Sequence, residues 1–478
     1  MSMAQYTARK SIEAIVADSD GKGLTKTLGP ISLIGLGIGC IIGAGIFVLT
    51  GKAAASYAGP AISLSFILSG VACAFVGLCY AELAAMIPAS GSAYTYAYAT
   101  VGEMFAWIIG WDLILEYGMG AATVAVGWSG YFVSLLDSFG IHIPLQWALA
   151  TGEAFKLADG SSGTGILNLP GVAIVLVLTA LLMLGTREST RVNNIMVAFK
   201  LFVVGVVIIV GAFYVSAANW HPFIPANNGT FGSFGYSGIL RGASVVFFAY
   251  IGFDAVSTAA QEARLPQRDM PIGILGSLII CTILYVLMGL VMTGMVPFQK
   301  LGVADPVAVA IDQTGIGWLS VLVKFAALAG LTTVIFVSLF GQARILFSIA
   351  QDRLLPGFFS QIHPRFNTPF ASQALIGVVV ALIAGTFPIG LLGEMVSIGT
   401  LFAFLLVCLA VIHLRRSNPK TQRPFRTPAV PWVPLFGMGF SLLLMFGLPL
   451  DTWLRLAVWL VIGLAIYFGY GHRHSAVA

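Results

Sequence analysis

Apolar runs of 18 or more residues recur along this chain of 478 residues, about 12 in all, each long enough to cross a hydrocarbon core of about 30 Å. The chain is 58% hydrophobic and 9% charged, whereas a soluble domain carries about 25% charged residues. Only a multi-span membrane protein can use this composition. Lipid offers the backbone no hydrogen-bond partner, so the spans must be helices. They are predicted near 30–57, 61–87, 102–136, 168–185, 192–217, 236–260, 271–296, 316–349, 370–388, 391–414, 429–449 and 452–470. The third and eighth runs exceed the bilayer thickness, which implies tilt or continuation into water. The longest connections are near 137–167 and 218–235.

Orientation follows from the basic residues. With the N-terminus inside, the inner side receives Arg9, Lys10, Lys22, Lys26, Arg187, Arg191, Arg264, Arg268, Arg344, Arg353, Arg365, Arg415, Arg416, Lys420, Arg423, Arg426 and Arg473. The outer side receives only Lys52, Lys156, Arg241, Lys300 and Arg455. This bias places both termini in the cytoplasm of a cell-membrane protein and explains the net charge of +5 without nucleic acid. Residues 1–28 read as a cytoplasmic segment, not a signal peptide, and 471–478 as a cytoplasmic tail. The basic, Pro-rich segment 415–428 reads as an inner loop against anionic lipid, an ordinary positive-inside loop being the simpler alternative. All five cysteines (Cys40, Cys73, Cys79, Cys281, Cys408) fall inside spans, so no disulfide-linked subunit is expected. A small accessory membrane peptide is not readable from the sequence.

Within the first span, Ile31–Gly51 carries glycines at 35, 37, 39, 43 and 45. Each weakens a helix by roughly 1 kcal/mol relative to alanine. Alone, the cluster is equally explained by close helix packing. Five spans later, however, Phe247–Asp254 is a second irregular stretch ending in an acid. Interruptions at matching places in two halves mark an inverted-repeat transporter. The expected fold is therefore an all-α membrane protein of two inverted five-helix repeats, about 29–217 and 236–414. Helices 1 and 6 are broken, and two peripheral helices follow within 415–470. A half-helix N-terminus offers free N–H groups to a carboxylate, and the unwound strand before it offers carbonyls to an ammonium. Two such breaks make a receptor for a zwitterion such as an α-amino acid.

The residues here carry a family resemblance. Gly39-Cys40-Ile41-Ile42-Gly43-Ala44-Gly45-Ile46-Phe47 resembles the first-span motif of the amino acid–polyamine–organocation superfamily. Tyr80-Ala81-Glu82-Leu83 through Pro88, with Gly91-Ser92-Ala93-Tyr94, resembles its second span and following loop. Phe248 to Asp254 resembles its sixth span, and Glu262 to Pro271 the inner loop after it. Val101-Gly102-Glu103 and Trp111 to Tyr117 resemble the branch of cationic amino acid transporters and their bacterial proton-coupled relatives. The resemblance implies that amides at Ala44 and Gly45, beside the small Gly43, meet the substrate carboxylate. It implies that carbonyls at Ile41, Phe248 and Ile251, in a stretch including Ala249, meet the amino group. It also makes Phe248 a lid, places Ser338 against the substrate side chain, and implies alternating access about the two breaks. Lys200 matches the position where a lysine of proton-coupled relatives replaces sodium.

Ionisable residues within spans suggest function by default. Lys200 lies near mid-membrane and reads either as a proton carrier or as a lysine snorkelling to the inner surface. Asp254 supports the broken helix or couples protons. Glu116 relays protons or attracts a cationic side chain. Glu103 reads as exposed near an inner end, Glu82 as an inner-gate or surface residue, Lys324 as snorkelling, and Thr332 and Thr333 as packing or backbone-satisfying hydroxyls. The histidines lie in loops or near span ends without HExxH or a Cys/His cluster, so no metal, no cofactor and no enzymatic activity are expected. No repeated selectivity loop suggests a channel. The expected function is proton-coupled symport of cationic or small neutral L-amino acids. Amino acid/polyamine exchange and sodium coupling are the alternatives.

Overall fold

A computed structural model describes residues 28–87, 92–156, 162–185, 190–366 and 368–475. The N-terminal segment before Leu28, Pro88, Gly91, Arg187 and the last residues of the tail lie outside the described residues, as do the side chains of Lys156 and Arg191. Among the described residues the regular structure is helical apart from one small hairpin, β1 (Ala154–Lys156) with β2 (Ser162–Thr164).

Each expected span coincides with helical structure. The first is split into α1 (Pro30–Ile41) and α2 (45–58), and α3 (Ile62–Met86) follows. Then come α4 (Ser92–Thr100), α5 (Glu103–Asp137), α6 (Leu169–Met183) and α7 (Thr190–Ala212). The sixth span begins as α8 (Gly235–Val246) and continues as two 3-10 stretches, Phe247–Tyr250 and Asp254–Glu262. The remainder is α9 (Pro266–Met295), α10 (Pro306–Asp312), α11 (Gly317–Gln351), α12 (Phe370–Thr386), α13 (Ile389–Ser417), α14 (Trp432–Gly447) and α15 (Leu450–Ile466). The two longest runs form single helices of 35 residues each, α5 and α11.

Packing sorts the spans into two groups. The first, second, sixth and seventh lie together, with α9 against α1 and α3 and α8 against α3. The third, fourth, eighth and ninth lie together, with α5 against α11 and α6 and α12 against α6. Hydrophobic transfer does not drive helices together inside lipid, so close packing and internal hydrogen bonds must. Hydroxyls accordingly bond back to carbonyls four residues earlier, as in Thr123 to Met119 and Thr293 to Gly289, at 2.7 Å each. Indoles donate across helices: Trp111 and Trp459 each donate to the other's carbonyl, and Trp107 donates to Gly463.

Three local expectations need correction. The segment after Pro88 is not only loop: α4 is helical, with Tyr96 and Tyr98 buried. Glu103 is not exposed but buried, accepting from Tyr98 and Tyr467 at 3.0 Å and from Ser475. Glu82 is not a surface residue either. It is 1% exposed, takes a bidentate pair from Arg415 at 2.9 Å, accepts from the Thr427 amide at 2.8 Å and sits 3.3 Å from Arg423. One carboxylate thus ties α3 to the basic segment 415–428, so two of that segment's arginines face protein. Lys324 is also held within the protein, donating to Ser134 O and Ser138 Oγ. Truncating one partner of a buried ion pair strands the other. Glu82→Ala should therefore destabilise the fold by about 3 kcal/mol or more, read as a lower thermal midpoint of the purified protein in detergent.

Candidate functional site

The helical ladder of the first span stops at Ile41. Ile42 is extended (φ −75°, ψ 101°), and winding resumes through a π-helical turn, Gly45–Leu49. In the sixth span Ile251 is extended (φ −60°, ψ 134°) and Gly252 has φ 116°. That conformation favours glycine, and a Cβ there would also lie 2.9 Å from the Cys40 carbonyl. The breaks therefore touch each other: Gly252 packs on the end of α1. Gly45 packs on Ala249 so closely that a Cβ at Gly45 would overlap the Ala249 backbone.

Between the breaks lies a cavity of about 160 Å³. The first span contributes Ile41, Gly43, Ala44 and Gly45, and the sixth contributes Phe248, Ile251 and Asp254. The middle of α5 contributes Glu116, Tyr117 and Val124, the middle of α11 contributes Thr333, Val334, Val337 and Ser338, and α13 contributes Val396. Most sequence-predicted binding residues thus share one wall-to-wall space. Ala249 does not. It faces Gly45, and its carbonyl accepts from Tyr285, so its place is in the contact between the breaks. Gly39 also lines the cavity, beyond the packing role expected of it, and Gly35 has no neighbour where a side chain would go. Thr333 reaches the cavity while bonding back to Gly330.

Two polar side chains hold the carbonyls that the breaks expose. Tyr285 of α9 is fully buried, its hydroxyl 2.9 Å from Ile41 O and 2.7 Å from Ala249 O. One hydroxyl hydrogen is shared between the two breaks. Lys200 of α7 is 2% exposed and donates to Gly39 O at 3.3 Å and Ile42 O at 3.4 Å. Its ammonium sits at the C-terminal end of α1, where the helix dipole favours a cation. It braces the break and is not among the residues lining the cavity. Asp254 accepts from the Gly252 amide at 3.2 Å, supporting the start of the second 3-10 stretch while lining the cavity. Tyr285 escaped the sequence reading, since a tyrosine inside an apolar run has no signature beyond its hydroxyl, and Tyr117 entered it only as the end of a motif.

A larger cavity of about 560 Å³ lies past Val48, toward the Asp137 end of α5, with Lys52, Asp137, Glu153 and Asp305 on its walls.

Residues 28–467 match the family model described as amino acid permease. A Bacillus subtilis (strain 168) protein named methylthioribose transporter is 45% identical over 473 residues, 99% of each chain. A branched-chain amino acid permease BcaP of the same organism is 46% identical, covering 98% of each chain. The chloroplastic cationic amino acid transporter 9 of Arabidopsis thaliana is 35% identical, covering 97% of this chain and 91% of its own.

The contacts at the two glycines predict different outcomes. A Cβ at Gly43 would meet Val334 at 3.2 Å, a contact a side chain can relieve. Gly43→Ala should keep a folded, monodisperse protein, whereas Gly45→Ala should lose thermal stability because backbone must move. Size-exclusion profiles and melting curves of the two variants distinguish them.

Proposed function

The chain belongs to the amino acid permease family, as a multi-pass membrane transporter of amino acids and not an enzyme, and from that premise we propose proton-coupled symport of neutral L-amino acids by alternating access. The observation that carries this reading is the pair of touching breaks around one cavity, with Lys200 bonded to the carbonyls of the first. Amides at Ala44 and Gly45 receive the carboxylate. Carbonyls at Ile41, Phe248 and Ile251 receive the ammonium, and Phe248 closes over it. Ile41 O has a second lone pair beside its bond to Tyr285. Ser338 meets the side chain. The wall of Val124, Val334, Val337 and Val396 suits a small or branched aliphatic group, in keeping with the name of the BcaP relative. Glu116 and Asp254 on the same cavity favour a second reading, a cationic side chain, in keeping with the name of the plant relative.

Coupling follows from what holds the break. A protonated Lys200 stabilises the end of α1, and a neutral one loosens it, so proton binding and the geometry of the substrate site are linked. Residues 29–217 and 236–414 act as the two repeats, with 415–470 peripheral. With the N-terminus on the cytoplasmic side of the membrane, the larger cavity past Val48 faces outward.

Two measurements test this. In proteoliposomes, an inward proton gradient should stimulate uptake, and Lys200→Ala should reduce that stimulation at least about tenfold while substrate still binds. A sodium requirement at neutral pH, unaffected by Lys200→Ala, would overturn the coupling. Thermal-shift screening across the twenty L-amino acids should show stabilisation by aliphatic ones. Stabilisation by arginine and lysine instead would establish the second reading, and no stabilisation at all would remove both.

A further inference from the structure

Asp112 lies one turn before Glu116 on α5, about 6 Å along the helix axis, and is fully buried. Neither of its carboxyl oxygens has a hydrogen-bond partner among the described residues. The surrounding elements do not neutralise it. α13 presents Gly399, where a Cβ would lie 3.0 Å from Asp112 Oδ1, and the neighbouring Thr400, which faces Glu116. α11 presents Gln342, whose amide donates to Ile114 O. On the α15 side, Trp111 and Trp459 stack on each other. The titratable neighbours are acids: Glu116 on the same helix and, within electrostatic range of Glu116, Asp254 from the sixth-span break.

An isolated carboxylate in such a place is prohibitively costly. A neutral carboxyl with no partner gives the fold little, since an apolar side chain of the same size fills the space without a polar group to satisfy. An intramembrane acid without a structural bond reads as functional.

We propose that Asp112 is a second proton-binding site of the transport cycle, exchanging its proton with Glu116 at the cavity wall. The inference rests on proton coupling as proposed above. Side chains four residues apart on a helix share a face, so the two carboxyls come within reach directly or through one water. The proton leaves an Asp112 oxygen and binds a Glu116 oxygen. One carboxylate forms as the other is neutralised, so the pair carries the same charge before and after. Asp112 lies on the Glu103 side of Glu116, so this step moves a proton along α5 toward the Asp137 end and its reverse moves a proton away from that end.

The test uses the full-length protein in proteoliposomes. Asp112→Asn keeps the shape and removes the titration. Accumulation driven by a proton gradient should fall at least about tenfold, while counterflow without a gradient, and stabilisation by the same amino acid, stay at wild-type levels. Asp112→Glu should restore part of the gradient-driven uptake. Infrared difference spectra on a pH step should show a protonated-carboxyl band in Glu116→Gln/Asp254→Asn, and adding Asp112→Asn to that variant should remove it. The double variant provides this readout without altering Asp112, so it also serves if Asp112→Asn does not fold. Wild-type accumulation in Asp112→Asn, with Lys200→Ala still impaired, overturns this inference and leaves the earlier coupling reading standing. Loss of counterflow together with accumulation in Asp112→Asn assigns Asp112 to packing and overturns it as well. No effect of the gradient on the wild-type protein removes both readings.

Discussion

Everything at the centre of this protein depends on satisfying backbone groups where there is no bulk water to do it. Two helices are interrupted at mid-span, and each interruption leaves carbonyls and amides that lipid cannot serve. Tyr285 and Lys200 meet the carbonyls from neighbouring helices. A cavity of about 160 Å³ lies between the two breaks. Close approach explains two of the glycines: the breaks touch, and Gly45 and Gly252 permit that contact.

The long helices α5 and α11 supply the rigid wall opposite the breaks. A break is pliable because it has surrendered its ladder, whereas an unbroken helix of 35 residues keeps its geometry. Glu116 therefore stands on an unbroken helix, across the cavity from the two breaks. Lys200 stands on the side of the breaks, bonded to carbonyls of the first. The cavity thus has walls of two kinds, unbroken helices and interrupted backbone, with Glu116 on the first and Asp254 on the second.

Much of this was legible in the sequence because membrane spans announce themselves by length and interruptions by local composition. Gly43, Ala44, Gly45, Phe248 and Ile251 reach the cavity because the breaks are local events. What depends on distant partners was not legible. Glu103 looks like an exposed helix start until Tyr98 and Tyr467 cover it, and Glu82 looks like a surface acid until Arg415, 333 residues away in sequence, closes on it. Ala249 sits within the right motif yet faces Gly45, because which side of a short 3-10 turn meets the cavity is decided by the opposing helix. Tyr285 carries no motif at all, and its role appears only when α9 is placed beside both breaks.

The central claim is that backbone groups of the two breaks recognise the charged ends of an amino acid, with the side chain a lesser contributor. Calorimetric titration with one transported amino acid, its methyl ester and its decarboxylated amine tests this most directly. The account predicts that removing the carboxylate by either route weakens binding at least about 30-fold, the loss expected when a buried charge-assisted contact is left half-made. Equal affinity for the acid and its ester would contradict it.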